Sequence, residues 1–330
     1  MALRIISTSP AFGMVGVIPD MLRENAWELV RAAEFGDPTE AVLPRLDSYL
    51  NEIEYLVSGT YPVTREFFAK APKLKAVFQH GVGVEKIDIA AATEAGVVIC
   101  NTPGANANAV VELAIGTMIS FGRRIIQAHN TIAAGGWERY VGWEIEGRTL
   151  GIIGLGTIGK RLALKARALG MRVIANDIKP DHAFAVQHGI EMLDLDAVLA
   201  GADVVSLHIN GGPANFNFIA ARELALLQPD TLFMNFARGD VLDLDALGDV
   251  LAARRIAGAV LDVFSVEPPD PVHPVFAHPH CIFTPHNGAN SKESQERVGL
   301  ATLESLSSML RGEIPERVVN RAVFDSPNKR

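Results

Sequence analysis

Arg238, Glu267 and His286 each follow an apolar run of strand character, and all three lie downstream of a glycine cluster, Gly154-Leu155-Gly156-Thr157-Ile158-Gly159. A guanidinium is a rigid planar fork that suits a carboxylate. A histidine exchanges a proton near neutral pH, and a carboxylate on its other ring nitrogen fixes the tautomer and raises its pKa. Open parallel sheets bind ligands beyond the carboxyl ends of their strands. The spacing therefore predicts a dinucleotide, an anion binder and an acid–base pair at one sheet edge, which are the parts needed for hydride transfer. Singly, each residue has a plainer reading: a surface arginine, a loop carboxylate before Pro268-Pro269, an isolated histidine. Only the joint pattern carries the expectation.

The elements around these residues alternate. Leu3–Ser7, Tyr55–Ser58, Leu74–Gln79 and Val97–Cys100 read as strands, with Ala26–Glu34, Arg65–Lys70 and Ile87–Ala95 as helices between them. A long helix is expected from Asn108 to Ala134, stopped by Gly135-Gly136. A second alternating set places strands at Thr149–Ile153, Met171–Ala175, Asp203–His208, Thr231–Asn235, Gly258–Val263 and Cys281–Thr284. Asn290 with Glu293 resembles a capping box opening a final helix to about Leu310, and residues 325–330 read as a frayed tail. Alternation of this kind implies parallel α/β sheets.

The glycine cluster gains specificity from its setting: a strand before it, a helix after it, then Asp177 at the end of the next strand. Gly154 is expected to make the tight turn, Gly156 to admit the pyrophosphate, and Gly159 to let helix and sheet approach. The amides near Thr157 and Ile158 would hold the phosphates, and Asp177 the ribose hydroxyls. That favours NAD over NADP, although Lys179 stands close enough to blunt the discrimination.

Bulk properties exclude other classes. The chain has 330 residues, 48% of them hydrophobic, and a formal net charge of -8, which argues against broad nucleic-acid binding. No apolar run approaches the roughly 20 residues of a membrane helix, and the N-terminus has no secretory pattern. Cys100 and Cys281 sit inside apolar runs and read as buried thiols, so a cytoplasmic location is expected. His273, His278, His280 and His286 crowd one segment, but their spacing fits no zinc pattern and no metal is expected.

Several stretches together resemble the D-isomer-specific 2-hydroxyacid dehydrogenases, with 3-phosphoglycerate dehydrogenases the nearest in look. They are His80-Gly81-Val82-Gly83-Val84, Asn101-Thr102-Pro103-Gly104, Trp137-Glu138-Arg139, the glycine cluster, Asn235-Phe236-Ala237-Arg238-Gly239, Asp262-Val263-Phe264, Glu267-Pro268 and Thr284-Pro285-His286. The resemblance implies two doubly wound parallel-sheet α/β domains with a cleft between them. One is a flavodoxin-like substrate domain, residues 1–103 plus 291–330; the other is a Rossmann nucleotide domain, residues 104–290. It implies a small 2-hydroxy or 2-oxo acid as substrate, a homodimer, Arg238 gripping substrate and His286 with Glu267 as the acid–base pair. It further implies Asp262 near the nicotinamide, His208 and Ala237 at the cofactor, and the amides of Val82 and Gly83 on the substrate carboxylate.

Departures from the family pattern refine this. Val57 and Gln79 stand where phosphoglycerate dehydrogenases place arginines, and Arg139 compensates only partly, so an unphosphorylated acid is expected. Side-chain specificity is expected in loops near residues 10–16, 58–61 and 79–83. In the loop His208-Ile209-Asn210-Gly211-Gly212, relatives usually carry a proline at Asn210 and a threonine shortly after, and the two glycines here should make it looser. Asn290 replaces a hydroxyl residue. No regulatory domain is expected after Asn320. Phosphoglycerate dehydrogenase is the alternative activity. Formate dehydrogenase fits poorly because it carries glutamine where Glu267 stands. An NAD-sensing corepressor-like scaffold is the rival from another class.

Overall fold

The structure, a computed structural model, describes residues 3–34, 37, 39–59 and 61–325. Thr60 of the 58–61 loop and all of the expected tail except Asp325 lie outside the described residues. The chain forms two compact units, Met1–Asn106 with Ala289–Arg330, and Ala107–Gly288.

The first unit carries five strands, β1 (Arg4–Ser7), β2 (Glu28–Arg31), β3 (Tyr55–Ser58), β4 (Ala76–Gln79) and β5 (Val98–Cys100), in the order β2-β1-β3-β4-β5 and all parallel. That is the flavodoxin-like order. Side chains alternate across it: Ile6, Leu56, Val77 and Ile99 enter one core, while Ile5, Val57, Phe78 and Val98 enter the other. Burial on both faces explains the unbroken apolar runs. The helix Lys292–Leu310 adds Leu303 and Leu306 to the second of these cores. The returning chain is fastened by Asn320, which accepts from the Ile99 amide (2.8 Å) and donates to the Val97 carbonyl (2.9 Å).

The second unit carries seven parallel strands, β6 (Thr149–Ile153), β7 (Arg172–Asn176), β8 (Glu191–Met192), β9 (Val204–Leu207), β10 (Leu232–Asn235), β11 (Gly258–Leu261) and β12 (Cys281–Phe283). Their order, β12-β11-β10-β9-β6-β7-β8, is the doubly wound nucleotide-binding arrangement extended by one strand. The order reverses between β6 and β9, which defines the switch point. No helix among the described residues is long and apolar enough to cross a membrane.

Three local expectations are corrected. Ala26–Glu34 is not a helix: Glu28–Arg31 is the edge strand β2, paired along one side only. Its charged ends are those of a solvent-facing edge, and composition alone reads them as helical. The long helix is two helices, Ala107–Gly122 and Ile125–Ala133, broken at Arg124, whose φ is +56°. At the break Trp143 packs on Gly122, and its amide donates to the Gly122 carbonyl (2.8 Å). The cap of the final helix is Ser291, whose hydroxyl accepts from the Ser294 amide (3.1 Å); Asn290 instead accepts from Gln295 Nε2.

Candidate active site

The glycine cluster lies at the switch point because only glycine fits there. A methyl group on Gly154 would stand 2.5 Å from the His208 carbonyl, and Gly154 itself has φ +95°. A methyl on Gly159 would overlap the Gly154 carbonyl, so the helix Thr157–Ala168 can start this close only with glycine. Gly156 faces open space and leaves the helix start without a side-chain cap. The first amides of that helix, around Thr157 and Ile158, thus point their partial positive charge outward, a setting fit for a pyrophosphate.

Asp177 holds this loop in shape. Its Oδ2 accepts from the Leu155 amide and its Oδ1 from the Lys179 amide, both at 2.7 Å. Each carboxylate oxygen keeps a second lone pair for a ribose hydroxyl. Lys179 therefore meets Asp177 through its backbone. His208 places Nε2 2.9 Å from the Ser206 hydroxyl and leaves Nδ1 buried without a partner, and burial pushes its pKa down to about 3.

Arg238, Glu267 and His286 all belong to the second unit, each just beyond one of its strands. Asn235 shapes the first turn: its carbonyl oxygen accepts from the Ala237 amide (3.0 Å) and its amide donates to the Arg238 carbonyl (2.9 Å). Arg238 donates to the Ala237 carbonyl (2.7 Å). Gly239 lies so close to the Phe264–Ser265 peptide that a methyl would overlap it, which ties the arginine turn to the loop carrying Glu267. Glu267 Oε1 accepts from the Phe264 amide (3.1 Å), and Oε2 stands 2.9 Å from His286 Nδ1.

A carboxylate only accepts, so Nδ1 of His286 carries the hydrogen and Nε2 is the exchangeable position. The bond to Glu267 raises the histidine's pKa; burial opposes it, the charges of Glu267 and Asp262 add to it, and Arg238 lowers it. The ring stays partly open, with 44% of the side chain exposed.

Asp262 is 2% exposed and accepts from the Thr284 hydroxyl (2.5 Å) and from the amides of Asn287 (2.7 Å) and Gly288 (2.9 Å). Sequence reasoning placed it at a nicotinamide and missed this grip on the histidine loop; the short spacing Thr284 to Gly288 was the only signal.

In the first unit the loop after β4 carries Val82 and Gly83, whose amides donate to no group among the described residues. Asn101 donates to the Val82 carbonyl (2.8 Å), and Thr102 to the Gly81 carbonyl through its hydroxyl and amide. Val57 is buried in the core, and Gln79 donates to the Gly59 carbonyl (3.1 Å). Sequence reasoning placed His80 in the 79–83 specificity loop without giving it a role of its own; its Nδ1 lies 2.9 Å from the Ser9 hydroxyl.

The crowded histidines are otherwise engaged: His273 faces Asp245, His278 the Leu251 carbonyl, and His280 the Arg124 guanidinium. Among the described residues no group of three or more His, Cys, Asp or Glu is placed to hold a metal.

Residues 115–288 match the family model described as D-isomer specific 2-hydroxyacid dehydrogenase, NAD binding domain. The chain is 36% identical over 310 residues to a D-3-phosphoglycerate dehydrogenase of Methanocaldococcus jannaschii, covering 92% of this chain and 59% of that protein. It is 34% identical over 270 residues to a glyoxylate reductase of Korarchaeum cryptofilum, covering 80% of this chain and 81% of that one. The crystal structure of the TT0316 protein from Thermus thermophilus is similar with a TM-score of 0.86 at 29% identity, over 96% of this chain and 100% of that one. The chain spans roughly half the length of several phosphoglycerate dehydrogenases it matches, 59%, 56% and 52% of three of them. On these grounds the chain belongs to the D-isomer specific 2-hydroxyacid dehydrogenase family and carries that family's NAD-binding domain.

Proposed function

We propose that this protein interconverts an unphosphorylated D-2-hydroxy acid and its 2-oxo acid, with NAD as the hydride partner. The observation that carries the reading is the 2.9 Å contact between Glu267 Oε2 and His286 Nδ1, which leaves Nε2 as the proton-exchanging atom. Bound NAD supplies the hydride acceptor or donor. Gly154, Gly156 and Gly159 leave room for its pyrophosphate, the amides of Thr157 and Ile158 hold it, and Asp177 takes the ribose. Ala237 and His208 border the same cofactor, and Asp262 fixes the loop bearing His286.

In this reading the amides of Val82 and Gly83 hold the substrate carboxylate, and Arg238 grips the carboxylate and carbonyl. His286 gives its Nε2 proton to the carbonyl oxygen during reduction and removes it in the reverse direction. Glu267 keeps the ring oriented and stabilises its charged form.

The substrate is unphosphorylated because Val57 is spent in the core and Gln79 on Gly59, so neither position offers a cation. A phosphate needs charged partners once desolvated. Phosphoglycerate oxidation is the second reading, favoured by the 36% identity to the M. jannaschii protein. We also assign the protein to the cytoplasm and to a homodimer, built through the exposed apolar residues Ile132, Trp137 and Val141.

The test is NADH oxidation against glyoxylate, hydroxypyruvate, pyruvate and 3-phosphohydroxypyruvate, with His286→Ala alongside. The variant is expected to lose about 10²–10⁴-fold in kcat while still binding NADH. Unchanged turnover overturns the assignment of His286. Preference for 3-phosphohydroxypyruvate overturns the unphosphorylated substrate. NADH binding with no turnover of any acid turns the reading toward an NAD-sensing scaffold.

A further inference from the structure

Among the described residues of the first unit, five side-chain atoms are buried without a hydrogen-bond partner: Ser58 Oγ at the end of β3, and His80 Nε2, Asn106 Oδ1, Ser294 Oγ and Gln295 Oε1. An unpaired buried polar atom is destabilising, and native interiors hold few of them. The last four sit on loops and a helix that interlock. The loop after β1 reaches His80 through Ser9 (2.9 Å) and Phe12, whose ring centroid lies 5.5 Å away, and reaches the final helix through Val17, whose amide donates to Glu296 (3.0 Å). The loop after β5 reaches His80's own loop through Thr102 and Gly81 (3.0 Å), and the final helix through Ala105, whose carbonyl accepts from Arg297 (2.9 Å).

These four groups are uncharged: an amide oxygen on each of Asn106 and Gln295, the Ser294 hydroxyl and the His80 imidazole. Burial holds that imidazole neutral by pushing its pKa down to about 4. Three charged side chains on or beside these segments pair with backbone. Arg31 donates to the carbonyls of Phe12 and Gly13, Glu296 accepts from Val17, and Arg297 donates to Ala105. A neutral imidazole tethered at Nδ1 presents Nε2 as a single donor or acceptor, whichever the Ser9 hydroxyl leaves to it.

We propose that His80 is a specificity-determining residue whose Nε2 hydrogen-bonds an uncharged hydroxyl on C3 of the substrate. This rests on the reading above, in which the carboxylate sits on the amides of Val82 and Gly83. His80 is two residues from Val82, so their Cα atoms are at most about 7 Å apart, within the reach of a three-carbon acid. A site built to pair a hydroxyl rejects the analogue that lacks it, because its own polar atoms are then left unpaired. A phosphate at the same carbon would bring two charges to groups that offer none in return.

The experiment compares kcat/KM of the full chain for hydroxypyruvate (CH2OH side chain), pyruvate (CH3) and glyoxylate (H), with His80→Leu, His80→Asn and Ser294→Ala. NADH affinity is measured in parallel as a check on folding. The wild type is expected to favour hydroxypyruvate over pyruvate at least tenfold. His80→Leu should bring that ratio to within about threefold of one, with the loss on hydroxypyruvate at least tenfold greater than on glyoxylate. His80→Asn, which keeps a neutral hydrogen-bonding group, should restore part of the ratio. If His80→Leu does not fold, Ser294→Ala carries the test and should lower the same ratio. A wild-type ratio near one, or a ratio untouched by these variants, overturns the proposal and leaves the parent reaction standing. Silence on every acid overturns the parent reading and this inference with it.

Discussion

Gly288 and Asp262 are locked together: the Gly288 amide donates to Asp262 Oδ2 at 2.9 Å, and a methyl on Gly288 would meet that same oxygen at 3.0 Å. The other carboxylate oxygen takes the Thr284 hydroxyl and the Asn287 amide, and the Asp262 carbonyl takes the His286 amide at 2.8 Å. One residue beyond β11 therefore grips both sides of His286, whose φ of +52° is an unfavoured conformation for a side-chain-bearing residue. Asp262→Ala leaves three donors unsatisfied. We expect a loss of roughly 1–3 kcal/mol in urea denaturation, about the penalty of a buried unpaired donor. A lower kcat with near-normal NADH affinity should accompany it. Unchanged stability would show that the loop holds its shape without the carboxylate.

The sequence made the sheets legible because parallel strands buried on both faces are unbroken apolar runs, as at Thr149–Ile153 and Tyr55–Ser58. It hid β2, since Glu28 and Arg31 bracket only two apolar residues at an edge. It hid the break at Arg124 because the cause lies about twenty residues on, where Trp143 returns to Gly122. The contact between Glu267 and His286 was readable only through the resemblance, for they stand nineteen positions apart in the chain. The grip of Asp262 on the histidine loop and the burial of His80 against Ser9 rest on hydrogen-bond partners that a linear pattern does not encode.

Gly154→Ala tests the cofactor loop. The added methyl would meet the His208 carbonyl, part of the backbone just beyond β9, and the φ of +95° is unfavourable for alanine. NADH affinity should fall at least tenfold. Asp177→Ser should weaken NADH and narrow the gap to NADPH, because the carboxylate that repels a 2′-phosphate is gone. A variant that binds NADH as before would place the ribose elsewhere.

The proposed self-association is expected to use exposed apolar surface in the second unit. Ile132, Trp137 and Val141 are 54%, 83% and 96% exposed, in and just beyond the helix Ile125–Ala133. Scattered apolar residues are ordinary on a surface, but three within ten positions suit an interface. Light scattering should give the mass of a dimer, and Ile132→Glu with Val141→Glu should give a monomer. A monomeric wild type overturns this.

Acid should unfold the protein through His80 and His208, whose pKa values are lowered by burial to about 4 and about 3. For a base with a depressed folded pKa, the unfolded chain binds the proton first, so stability falls as pH drops below about 6.5 and continues to fall toward the folded value. At pH 5 each histidine removes on the order of 2 kcal/mol. Urea denaturation at pH 7 and pH 5 measures the loss, and His80→Asn should recover part of it. Equal stability at the two pH values would mean that these rings titrate normally.

His286 has the opposite sign, and the pH–rate profile reads it directly. Its pKa is raised above 6.5, chiefly by the bond to Glu267. The part of folding stability that this contributes is fully present below 6.5 and is lost as pH rises through the folded value. Reduction requires the ring protonated, so kcat/KM for a 2-oxo acid should fall as pH rises through that same raised pKa. Oxidation requires it neutral and should rise across the same interval. Glu267→Gln keeps a hydrogen-bond acceptor but removes the charge, so the fall in the reductive profile should move to lower pH while kcat declines. Glutamine is close in size, so a mere packing role for Glu267 would leave the midpoint in place. A midpoint that stays fixed or moves upward would separate Glu267 from the proton-transfer step and reduce it to a support for the Phe264 amide.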